Sequence, residues 1–114
     1  MKFGLDDTTL AKFRAVFATY PEIEEVVLYG SRAKGNFREG SDIDLTIKGI
    51  AVTEAIRSKV WLDLDDLNTP YLIDLSVFSL LSPGNLRDHI NRVGVSFYRR
   101  SSATPRTRAF DAGQ

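Results

Sequence analysis

The chain has 114 residues, 43% of them hydrophobic and 26% charged, which suits one small domain with a modest core and makes a second improbable. The lack of cysteine excludes disulfides and thiolate metal sites, and fifteen basic residues against fifteen acidic ones exclude a global pull toward nucleic acid or anionic lipid. Apolar runs span only a few residues, against the roughly 20 that cross a bilayer, and the first residues lack the basic start and apolar stretch of a secretory signal, so a cytoplasmic protein is expected.

The first predicted helix runs from about Thr8 to Thr19, where Leu10, Phe13, Val16, Phe17 and Tyr20 recur at helical spacing and Asp6, Asp7 and Thr8 offer capping oxygens. Pro21 ends it. Ile23 to Tyr29 is a β-branched and aromatic run that stops at Gly30 and reads as a largely buried strand. Gly30 to Ser41 holds three of the eight glycines and reads as a turn, one helical turn at most, and an exposed loop. From Asp42 the pattern becomes strict alternation, with Ile43, Leu45 and Ile47 on one face and Asp42, Asp44, Thr46 and Lys48 on the other. That predicts a half-buried strand.

Thr53 caps a second predicted helix that continues to about Leu67, with Ile56, Val60, Leu64 and Leu67 facing the core and Trp61 off the main stripe. Asp63, Asp65 and Asp66 at its far end oppose the helix dipole, which predicts early fraying or another use for those carboxylates. Tyr71 to Phe78 forms a third strand, with Leu72, Asp74, Ser76 and Phe78 on the face opposite Tyr71, Ile73, Leu75 and Val77. Ser82 followed by Pro83 predicts the start of a last helix carrying Leu86, Ile90 and Val93, with His89 as a boundary residue, and Gly94 closes it. Val95 to Tyr98 adds a short strand or simply packs. The expected organisation is one domain over residues 1–100 and a polar, poorly ordered tail over residues 101–114.

The informative constellation is Gly30-Ser31, ten further residues, the pair Asp42 and Asp44, and Asp74 thirty residues later in another alternating strand. Carboxylates at i and i+2 on a strand project from one face about 7 Å apart at the backbone, so their oxygens can converge on hard cations. Asp74 adds a third if the two strands are neighbours with these faces aligned. Three such charges repel unless cations neutralise them. Gly30-Ser31 lies where a strand passes into a turn, a place where backbone N–H groups attract phosphate oxygens; Ser31 can donate to a phosphate, and Arg32 or Lys34 can offset triphosphate charge. Ser41 reads as a turn residue at the edge of this nucleotide-binding set. Together these parts describe a two-metal nucleotidyl transfer site.

The stretch Leu28-Tyr29-Gly30-Ser31-Arg32-Ala33-Lys34-Gly35, followed by Gly40-Ser41-Asp42-Ile43-Asp44-Leu45, resembles the signature of the minimal nucleotidyltransferase (MNT) group of the DNA polymerase β-like superfamily. The resemblance extends from about residue 8 to residue 99 and includes Asp74 and the closing Val93-Gly94-Val95-Ser96-Phe97-Tyr98. It implies an α/β (α+β) domain with a small mixed, mostly antiparallel sheet flanked by helices, binding ATP or another nucleoside triphosphate with two Mg2+ ions. By the family pattern Asp42 and Asp44 ligate the metals, Asp74 completes one site and helps deprotonate the acceptor, and Gly30 and Ser31 hold the triphosphate.

Many stand-alone members pair with a HEPN-type helical toxin and act as its antitoxin by adding AMP to a tyrosine, so that partner and activity are expected here. The acceptor surface is expected from a partner or from a second copy in a homo-oligomer. A non-catalytic antitoxin that neutralises its partner by binding alone is the alternative, and intact Asp42, Asp44 and Asp74 favour catalysis. Modification of a small molecule is a weaker third reading.

Overall fold

A computed structural model of the chain describes residues 2–38 and 40–100; the expected tail lies outside the described residues. The elements are α1 (Asp7–Ala18), β1 (Glu25–Tyr29), α2 (Ser31–Lys34), β2 (Ile43–Lys48), α3 (Glu54–Asp65), β3 (Ile73–Val77), a short 3-10 turn over Phe78–Leu80, α4 (Asn85–Val93) and β4 (Val95–Arg99). The four strands form one sheet in the order β3-β2-β1-β4. β1 runs antiparallel to β2 and to β4, and β2 runs parallel to β3, so the sheet is mixed and mostly antiparallel.

The local signals act where the sequence places them. Asp6 caps α1 by accepting from the Thr9 N–H at 2.7 Å, and that bond holds its carboxyl below the usual range. Thr53 caps α3 by accepting from the Ile56 N–H at 3.2 Å. Leu10, Phe13 and Phe17 of α1 and Val60 and Leu64 of α3 are buried against Val26, Leu28, Ile43, Leu45, Ile47, Leu75 and Val77, which form one face of the sheet. Each such fully buried side chain stabilises by about 1.5–3 kcal/mol relative to exposure. Phe97 of β4 closes this core, with ring centroids 5.8, 6.3 and 6.1 Å from those of Phe3, Phe13 and Phe17. The other face carries a smaller cluster of Val27, Tyr29 and Ile90, with Phe78 and Leu81 packed against it, and α4 packs on β1 there.

Several boundaries differ from expectation, β1 and β3 each starting two residues late, at Glu25 and Ile73. α4 begins at Asn85 and not at the Ser82-Pro83 signal, because Gly84 precedes it at φ 143°, a backbone only glycine adopts freely, and turns the chain into the helix. Ahead of α1, Lys2 and Leu5 form an isolated bridge and Leu5 is fully buried, so the core reaches further toward the N-terminus than the helical stripe implied. α3 ends at Asp65, two residues short of the predicted Leu67, in keeping with the acidic C-terminal turn.

One of those acids has the separate use anticipated for it: Asp63 accepts from the Tyr20 hydroxyl at 2.5 Å and links α3 to the end of α1. That bond pushes the Tyr20 phenol up from 10.0 to about 12. The folded state therefore keeps a proton that the unfolded chain has lost, so this contribution is complete below about pH 10 and disappears as pH rises toward 12. Ultraviolet titration should show one phenol ionising near pH 12 in the wild type, and Asp63→Asn should return it toward 10. An unchanged titration in that variant would show that Asp63 is not the cause.

Candidate active site

The strand register decides which side chains share a face. Asp44 on β2 is the partner of Tyr29 on β1 and of Asp74 on β3, so Tyr29, Asp44 and Asp74 form a row across three strands at one end of the sheet. Asp42 lies just ahead of β2, exposed, and Asp74 is exposed on the edge strand. Within the sheet, the next row is Val27, Thr46 and Ser76, and the Thr46 hydroxyl reaches the Ser76 carbonyl at 3.4 Å. This is the sheet face on which α4 packs against β1, while the acids stand on β2, which is hydrogen-bonded to β1, and on the edge strand β3.

Like charge and burial shape the electrostatics. Partial burial is the largest influence on the Asp44 carboxyl, followed by the charges of Asp74 and Asp42, and all three push it above the ordinary carboxylate range. Burial also pushes up the Tyr29 phenol, with Asp74 and Asp44 adding to the rise and the nearby Ser76 hydroxyl tempering it. The Ser76 oxygen itself is buried and makes no hydrogen bond of good geometry among the described residues. Tyr29 and Ser76 were not singled out from the sequence. Ser76 was visible by its alternation with Asp74, but the place of Tyr29 depends on an antiparallel register that periodicity does not specify.

The chain passes from β1 into the site through Gly30, whose φ of 77° and ψ of −157° lie in a region essentially reserved for glycine. A Cβ here would collide with the Asp44 carboxylate, so the backbone of Gly30 and the side chain of Asp44 lie in the closest approach the chain allows. Ser31 opens α2 and is partly exposed, and Lys34 is exposed at its end. The turn expected to cradle phosphate thus abuts Asp44. The three carboxylates supply the hard oxygen donors that a divalent cation requires, and the glycine cradle is adjacent, so the residues fit such an ion. Among the described residues, however, the acidic side chains do not converge into a ready-made metal cluster. The fold sets Asp44 level with Asp74 and places Asp42 just ahead of β2.

Arg32 turns inward. Expected beside the nucleotide, it is 3% exposed, and its Nη1 donates to the Phe3 carbonyl at 2.8 Å while Nε and Nη2 donate to the Ser41 carbonyl at 3.1 and 2.8 Å. Phe37 and Tyr71 each place a ring centroid 5.0 Å from its guanidinium carbon. Burial and these partners direct it into the protein. Ser41, also placed in the nucleotide-binding set, shapes the loop: its hydroxyl oxygen accepts from the Arg38 N–H at 2.9 Å and its carbonyl is held by Arg32. Trp61, 36% exposed, donates its indole N–H to the Ile73 carbonyl at 3.2 Å, which places it at the edge strand next to Asp74.

Solved structures of similar fold include a chain of a toxin–antitoxin complex with AMP-PNP, at 18% identity, TM-score 0.65, and coverage of 87% of this chain and 77% of that one. A second belongs to a complex of tri-AMPylated Shewanella oneidensis HEPN toxin with MNT antitoxin, at 15% identity, TM-score 0.63, and coverage of 87% and 76%. A third is a chain of the MntA–HepT toxin–antitoxin, at 15% identity, TM-score 0.62, and coverage of 86% and 76%. At identities this low the likeness shows a shared fold alone. No curated protein sequence matches the chain significantly. The sequence does match the family described as "Polymerase beta, Nucleotidyltransferase" over residues 11–103, a span that takes in every strand, Gly30-Ser31 and all three acids. The chain therefore belongs to the polymerase β nucleotidyltransferase family.

Proposed function

We propose that this protein transfers AMP from ATP to a tyrosine hydroxyl of a HEPN-type partner and so restrains that partner, with two Mg2+ ions held by Asp42, Asp44 and Asp74. The observation that carries the reading is the in-register pairing of Asp44 with Asp74 beside the Gly30 turn. The choice of nucleotide and partner is supported by the fold neighbours, one of which is a complex with AMP-PNP and another a complex containing an AMPylated HEPN toxin. The catalytic unit is residues 1–100, and the working compartment is the cytoplasm, where ATP is available.

When bound, the ions neutralise triphosphate charge and acidify the attacking hydroxyl. Gly30 brings the backbone close to the phosphates, and Ser31 donates its hydroxyl proton in a hydrogen bond to a phosphate oxygen. Asp74, exposed on the edge strand, accepts the proton of the incoming hydroxyl as its oxygen bonds to the α-phosphorus. The bond from that phosphorus to the bridging oxygen breaks, and pyrophosphate leaves with the electron pair. Asp42 and Asp44 would hold the ions against the phosphates, and the positioning this gives would be the larger part of catalysis in this reaction class.

The test mixes the full chain with ATP labelled at the α-phosphate, Mg2+ and a HEPN-type protein encoded beside it. Label should appear on a partner tyrosine and vanish with chelator. A tight complex that never acquires label would replace transfer with neutralisation by binding alone.

A further inference from the structure

A buried arginine with no carboxylate partner among the described residues needs a reason. Among the described residues no salt bridge includes Arg32, yet its guanidinium is enclosed by two aromatic faces and bound to two backbone carbonyls. Desolvating a charge this far is costly, and replacing it with an apolar side chain of similar volume is often neutral for stability. Stability alone is therefore a weak explanation. The partners suggest another. Arg32 follows Ser31, the carbonyl it grips with two nitrogens belongs to Ser41, whose peptide leads directly into Asp42, and the Tyr71 ring on one side lies two residues before β3, which carries Asp74. One side chain thus touches the phosphate turn, the approach to the first acid and the approach to the third.

We propose that Arg32 is a positioning residue that fixes Asp42 relative to Gly30-Ser31 and to Asp74. The inference rests on the nucleotidyltransferase reading above, since it assigns Arg32 to the alignment of a metal and nucleotide site. The fork geometry is essential to it: two nitrogens of one planar group converge on one oxygen while the third nitrogen reaches the Phe3 carbonyl, which a lysine ammonium on a flexible stem does not reproduce. Gly4 leaves no slack at the same point, because a Cβ there would run into both Phe37 and Arg32.

The test is a double-mutant cycle on the full chain, read as Mn2+ affinity in the presence of ATP by titration calorimetry, with circular dichroism to confirm folding. Arg32→Lys should weaken Mn2+ binding about tenfold in the wild-type background, the scale expected for residues that orient metal ligands. In an Asp42→Asn background the same change should have almost no further effect, because the residue through which Arg32 acts is already altered. Should Arg32→Lys fail to fold, Tyr71→Leu removes one aromatic face only and should show the same background dependence with a smaller factor. Equal factors in both backgrounds would overturn the proposal, as would an unchanged Mn2+ affinity in Arg32→Lys. Wild-type protein that binds neither Mn2+ nor ATP would overturn this inference together with the functional reading, whereas normal wild-type binding with equal factors defeats this inference alone.

Discussion

Asp44→Asn is expected to lower AMP transfer by about 1,000-fold or more while raising the melting temperature of the metal-free protein by a few degrees. The two effects have one origin. Asp44 lies between Asp74 in register on β3 and Asp42 two residues upstream, partly buried, and burial together with both charges lifts its carboxyl above the ordinary range. A raised value means that the folded state holds the proton more tightly than the unfolded chain does. Stability of the metal-free protein therefore falls as pH rises from the ordinary carboxylate range through the raised value, and the penalty is complete above it. Asparagine keeps the shape and removes the charge, so it escapes that penalty and forfeits the ligand. The melting difference should close below pH 4, and Mg2+ with ATP should stabilise the wild type but not the variant. A variant that melts below the wild type at every pH would show that Asp44 holds the fold together and would remove it from the chemistry.

Gly30→Ala is expected to impair both stability and transfer, although it adds one methyl group. At φ 77° and ψ −157° an alanine is strained by about 1–3 kcal/mol, and a domain of this size loses roughly 4–8 °C in Tm for each kcal/mol. The new Cβ also meets the Asp44 carboxylate, which must swing aside. Displacing a reacting group by about 1 Å can cost about 100-fold in rate, so transfer should fall by at least that factor. Gly35→Ala is the control. Gly35 has a φ of 85° but open space where its Cβ would stand, so that variant should lose stability and keep its rate once folded. Equal rates in the two alanine variants would show that the close approach at Gly30 has no catalytic importance.

Much of this protein was legible without coordinates, for a reason that can be located in particular residues. Leu10, Phe13 and Phe17 recur with the period of a helix and Ile43, Leu45 and Ile47 with the period of a strand, and those periods follow from backbone geometry that each segment carries within itself. The caps Asp6 and Thr53 were readable for the same reason. The faces were also assigned by alternation, so Asp44 and Asp74 were each known to project opposite the apolar stripe of their own strand. The failure at Ser82-Pro83 came where a local signal was overridden, since the chain must turn at Gly84 before α4 can pack Ile90 on β1.

Sequence by itself determined the order of the elements, the acids and the glycine-serine turn, because each depends on neighbours a few positions away. Only the tertiary structure decided that β2 and β3 are adjacent and parallel with Asp44 level with Asp74, that Tyr29 joins their row, and that Arg32 turns inward to Phe3 and Ser41. Those relations join residues as far apart as positions 3 and 32 or 44 and 74, and they arise from strand pairing and burial, which no local periodicity encodes.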